Sequence, residues 1–124
     1  MPQRRRQPAQ TEREWWALLK SKDKTVIRSM KDWKAALADP ERNPLKGCSP
    51  KTVAHFTRNL KFANGGLGHA DYSHVAQELN YIRFTGLWAA FGLGMGLFAD
   101  HDGYECESKG TCKKIAEKIC TSNC

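Results

Sequence analysis

Apolar positions along this chain recur with a helical period and culminate in one stretch, residues 79–99 (LNYIRFTGLWAAFGLGMGLFA). Residues 84–99 carry no charged side chain, and within them Trp88, Phe91, Met95 and Phe98 are interspersed with Gly86, Gly92, Gly94 and Gly96. A helix that is apolar on every side belongs in the middle of a bundle. The same stretch approaches the length of about 20 apolar residues that a membrane span requires, once Asn80 and Arg83 are included. Its small-residue spacing, Gly86–Ala90–Gly94, suits close helix crossing in lipid as well as in a soluble core. Bulky aromatics at a membrane surface are a third fate. The buried core helix is the reading adopted, with the span and the interfacial segment as alternatives.

Shorter amphipathic segments are arranged to cover that rod. Thr11-Glu12-Arg13-Glu14 is a capping box that opens a helix carrying Trp15, Trp16, Leu18 and Leu19. Val26, Met30, Trp33 and Leu37 predict a helix over residues 24–39, with Arg28, Lys31 and Lys34 outward and Asp39-Pro40 as its end. Ser49-Pro50 supplies an N-cap and a first-turn proline for a helix bearing Val53, Phe56 and Leu60, stopped at Asn64-Gly65-Gly66. After a glycine connector, Asp71 caps a segment whose Tyr72, Val75, Leu79 and Ile82 lead into the apolar run. Thr111 caps a last helix with Ile115 and Ile119 inward, beside Cys112. The fold predicted is all-α, a small bundle of about five helices around a central Gly-rich helix, ending in a Cys-rich helix. Residues 1–10 read as a disordered basic tail, and residues 11–124 as a single helical domain whose segment 104–124 is Cys-rich.

Composition changes this picture mainly through charge. The 124 residues carry a formal net charge of +7. It is uneven, with 15 Lys and Arg against 6 Asp and Glu in residues 1–62, and 5 against 7 in residues 63–124. A basic half joined to an apolar half predicts an anionic partner, either nucleic acid or another acidic molecule. It also leaves room for a homodimer or larger complex through the apolar helix. No secretory signal is visible, because no apolar stretch follows Arg4-Arg5-Arg6 before Trp15, so the expected compartment is the cytoplasm. If residues 79–99 spanned a membrane, the basic N-terminal half would face the cytoplasm.

On the helix opened by Ser49-Pro50, Lys51, Thr52, Arg58, Asn59 and Lys61 gather on the side opposite Phe56. The run SPKTVAHFTRNL (residues 49–60) resembles the recognition helix of LuxR-type helix-turn-helix domains. That resemblance implies a helix in the major groove, with Lys51, Thr52 and Asn59 as its contacts. Two features depart from the family: Phe56 stands where a His is usual, and the preceding ADPERNPLKGC contains two prolines.

Four cysteines, Cys106, Cys112, Cys120 and Cys124, close the chain with C-x5-C-x7-C-x3-C spacing and no CxxC pair. Two disulfides, Cys106 with Cys120 and Cys112 with Cys124, are the first choice among three connectivities. A four-thiolate zinc or iron–sulfur site is second, and reduced structural thiols third. Cys48 is left over. His69 and His74 do not form a standard metal pair, and GGLG lacks the order of a phosphate-binding loop. No Ser/His/Asp order or paired-carboxylate motif appears, so the expectation is a non-catalytic protein. Its leading function is nucleic-acid binding through the basic half; the alternative is a structural or membrane-associated interaction subunit docking through residues 79–99.

Overall fold

The computed structural model describes residues 8–21, 25–108 and 111–121. The elements are α1 (Glu12–Lys20), α2 (Met30–Ala38), α3 (Pro50–Arg58), β1 (Lys61–Ala63), β2 (Gly66–Asp71), α4 (Val75–Glu78), α5 (Tyr81–Ala90), α6 (Met95–His101), β3 (Asp102–Ser108) and β4 (Thr111–Cys120). The four strands form one antiparallel sheet in the order β1-β2-β4-β3. The all-α prediction is therefore overturned: the chain combines helices with a four-stranded antiparallel sheet.

Helix starts follow the local capping chemistry. The Thr11 side chain accepts from the Glu14 amide, Ser49 from Thr52 and Asn80 from Arg83. α2 begins later than its apolar period suggests because Ser29 caps it, while the Asp32 carboxylate accepts from the Arg28 amide at 3.0 Å. Val26 and Ile27 are buried ahead of it, in a non-helical segment fixed by Ile27 N donating to the Ala90 carbonyl at 2.9 Å. In α1 Trp15 and Leu18 enter the core, while Trp16 remains 42 % exposed.

The apolar run supplies much of the core, but Tyr81 and Ile82 are exposed and it is not one rod. Leu79 is extended, α5 ends at Ala90 with Phe91 as its C-cap, and α6 starts only after Gly94. Gly92 makes the break, with φ +91 and Leu18 packed where a Cβ would stand. No helix among the described residues is long and apolar enough to cross a membrane. Trp33, Phe56, Trp88 and Phe91 are fully buried and meet as an aromatic cluster, with Trp33 and Phe91 stacked at 5.5 Å and Trp33 and Phe56 tilted at 5.3 Å.

The N-terminal segment takes part in this packing. Ala9 N donates to the Gly92 carbonyl at 2.8 Å, Gly94 N donates to the Ala9 carbonyl at 2.7 Å, and Gly96 N donates to Gln10 Oε1 at 2.9 Å. Of the tail expected over residues 1–10, residues 1–7 lie outside the described residues, whereas Ala9 is 4 % exposed.

Two stretches read as helix-related form strands. Asn64-Gly65 does not stop a helix. With φ 52 and 84 it is a two-residue hairpin turn between Ala63 and Gly66, the turn that Asn-Gly best satisfies. The C-terminal segment, predicted as a Cys-rich helix, is the β3–β4 hairpin, and β4 also pairs with β2 through Ile119↔Ala70. Lys, Ala and Glu favour helix locally, but Ile119, Cys120 and Thr121 are buried only when this end of β4 joins the sheet. β4 is sharply bent. Asp102 faces Ile119 but Tyr104 faces Lys114, and Glu117 in the looped-out part has φ 64.

Candidate functional site

The sequence places five candidate contacts on α3 and just beyond it, and the fold divides them. Lys51, Arg58 and Lys61 are exposed, and none is in an ion pair among the described residues. Lys51 and Arg58 stand seven residues apart, two turns along one face of α3, with exposed Ala54 between them. Thr52, by contrast, is 6 % exposed, and its Oγ1 lies 3.0 Å from the Ser49 hydroxyl oxygen. Asn59 is the C-cap of α3, and its Nδ2 donates to the His55 carbonyl at 2.9 Å. Its own carbonyl meets His69 Nδ1 at 3.0 Å. Two of the three contacts implied by the LuxR-type resemblance are thus engaged in holding the helix.

The start of α3 is also occupied from within. Glu78 Oε1 accepts from the Ser49 amide at 2.9 Å and Oε2 from the Ser49 hydroxyl at 3.0 Å. Hydrogen bonds from Thr52 and then from the Ser49 backbone hold the Glu78 carboxyl below its ordinary pKa. A carboxylate already sits where the helix dipole would otherwise draw a phosphate. The geometry before α3 is not that of a helix-turn-helix either. α2 ends at Ala38 and α3 starts at Pro50, so the intervening segment far exceeds a turn of about 3–4 residues.

The fold assembles one cluster that no local motif signals. His55, from the last turns of α3, stacks on His74, the residue preceding α4, with ring centroids 3.6 Å apart and planes within 10°. Asp71, at the end of β2, brings Oδ2 to 3.9 Å from His55 Nε2. The Ser73 amide and hydroxyl donate to Asp71 Oδ1 at 3.0 and 2.7 Å. Partial burial raises the Asp71 pKa, but the two Ser73 bonds, with His55 and Lys118 nearby, bring it below its ordinary value. Burial, the neighbouring His74 ring, Arg58 and Lys118 lower the His55 pKa, against the pull of Asp71. His55 is therefore a neutral ring near neutral pH, sandwiched beneath an exposed His74 and bordered by Arg58. Burial also lowers the His69 pKa, while burial and the hydrogen bond to Asp102 raise that of Tyr72.

The cysteines follow a connectivity other than the one preferred from spacing. Cys112 is bonded to Cys120, with Cα atoms 5.9 Å apart. Eight residues of straight strand would separate them by about 26 Å, so the disulfide closes the bend in β4. Cys106 stands opposite Cys112 across the hairpin and is likewise in the disulfide state, and Cys124 lies outside the described residues. Spacing could not reveal the Cys112–Cys120 bond, because a helix would hold those two positions about 12 Å apart. A disulfide offers no thiolate to zinc or an iron–sulfur cluster. Among the described residues no group of three or more His, Cys, Asp or Glu is placed to hold a metal ion. Cys48 is a free thiol, partly buried, and burial raises its pKa.

No protein-family profile, curated protein or solved structure matches this chain.

Proposed function

We propose that this is a non-catalytic protein that binds nucleic acid without reading its sequence, through the exposed cations on α3 and just beyond it. The observation that carries the reading is the row Lys51, Arg58 and Lys61, exposed and without an ion-pair partner among the described residues. Ammonium and guanidinium groups so placed contact phosphates and carry no sequence information. The side chains suited to base edges, Thr52 and Asn59, are committed to capping and core contacts. What remains near Arg58 is the His74 ring, backed by His55, and a flat ring of this kind stacks on any base. A single-stranded ligand whose bases are free to stack is therefore favoured over a duplex.

The test is fluorescence anisotropy of labelled oligo(dT) against a duplex of equal length, titrated with salt. Three phosphate contacts on a single strand give a log–log salt slope of about −2. Lys51→Ala, Arg58→Ala and Lys61→Ala together should flatten the slope by about that amount while leaving the melting temperature in place. Salt-independent binding, or an unaltered slope in the triple variant, would refute the proposal.

A further inference from the structure

α5 is apolar on both sides, yet the fold buries only one of them. Leu87, Trp88 and the following Phe91 are fully buried. The opposite side turns out small residues, exposed Gly86 and Ala89 and half-buried Ala90. These form one wall of a groove of about 720 Å³, whose other walls are the Thr25–Ile27 segment and the loop from Pro40 to Lys46. That volume lies within the range of about 300–1,000 Å³ that small-molecule sites occupy. The space over Gly86 is open, since a Cβ there would meet nothing within 4 Å.

The chemistry of the groove is two-sided. Its floor is hydrocarbon from Val26, Ile27 and Ala90, and Arg42, Lys46 and Arg83 stand around it, with Glu41 the one carboxylate in its lining. Arg83 also donates to the Lys46 carbonyl, which ties α5 to the loop across the groove. Cations outnumber the single carboxylate beside an apolar floor, so charge complementarity selects a ligand with an apolar body and a negative end. A guanidinium fork fits a carboxylate through two parallel hydrogen bonds.

We propose that this groove binds a small amphipathic carboxylate, with its apolar body along α5 over Gly86 and its carboxylate held by Arg42 and Lys46. The site is separate from the cations on α3 and just beyond it, so either proposal can fail without the other.

Isothermal titration of the full chain with decanoate, below its micelle concentration, tests the assignment. One saturable site per chain is expected. Arg42→Glu with Lys46→Glu should weaken binding at least tenfold, and Gly86→Trp, which fills the open space on an exposed helix face, should abolish it. The uncharged analogue decanol should bind at least tenfold more weakly than decanoate. Thermal melts of each variant keep the result interpretable, and Lys51→Ala with Arg58→Ala should leave decanoate binding unchanged. Absence of a saturable site, equal affinity for decanol and decanoate, or indifference to Gly86→Trp would each overturn the proposal.

Discussion

The aromatic centre and the C-terminal hairpin of this protein are ordered by different means. Around Trp33, Phe56, Trp88 and Phe91, side chains at 0 % exposure pack ring against ring, and the backbone follows helices with ordinary caps. In β3 and most of β4 almost nothing is buried until Ile119. There the chain is kept in place by strand pairing, the Cys112–Cys120 bond, and Lys118 Nζ on Glu105 Oε2 at 2.9 Å. Burial is collective, so the centre gains from every neighbour it touches. A covalent link acts mainly by restricting the unfolded chain, and it can hold a segment with little interior of its own.

The comparison is broken most forcefully in the centre. Phe56→Ala should cost about 3–5 kcal/mol, because it removes a fully buried ring that touches Trp33, Trp88 and Phe91. Urea denaturation followed by Trp fluorescence checks this, and a loss below about 1 kcal/mol would mean the cluster is not the main source of stability. Cys112→Ala with Cys120→Ala comes next. A loop this short should contribute about 2.5 kcal/mol by the chain-entropy relation. Hydrogen exchange should quicken over β4 and its β2 partners while the helices near Phe56 keep their protection. A uniform loss across the chain would show that the two regions are a single cooperative unit.

The gentlest probe is pH. The His69 pKa is lowered from 6.5 by burial, and that of His55 is lowered too. The unfolded chain thus holds these protons more tightly than the folded one. Their contribution to stability is complete above pH 6.5 and declines as pH falls below 6.5 toward the lowered folded values. Asp71 acts in a separate window, its contribution fading only as pH falls below its ordinary 3.8. The urea midpoint should be lower at pH 5.5 than at pH 7.5, and His69→Asn should shrink that difference. An undiminished difference would remove His69 from the account.

Local signals were most legible where the chemistry is contained within a few residues. The caps at Thr11 and Ser49 need only the next three residues to act, and both open helices. Asn64-Gly65 carries an equally local signal for a hairpin, but the same pair also suits the end of a helix. The C-terminal segment was harder, since Ile115 and Ile119 stand at helical spacing, and only pairing of residues 118–120 with residues 69–71 makes strand the better state. In the candidate site, Lys51, Arg58 and Lys61 were readable as exposed cations. The burial of Thr52 and the stacking of His74 on His55 were not, because each depends on a partner brought in by another element.

By itself the sequence determined that aromatics such as Trp15, Trp33, Phe56 and Trp88 leave water, where several helices begin, and which half of the chain bears most of the positive charge. Those properties follow from side-chain hydration and short-range backbone hydrogen bonding, which act on neighbours along the chain. Tertiary structure alone decided that the apolar run bends at Gly92, that the cysteine-bearing tail becomes a hairpin, and that one side of α5 faces an open groove. Each of these depends on contacts between residues distant in sequence: Leu18 against Gly92, Ile119 beside Ala70, and Arg83 reaching the Lys46 carbonyl. Such contacts compete with local preference, and near equality between helix and strand propensities lets them prevail.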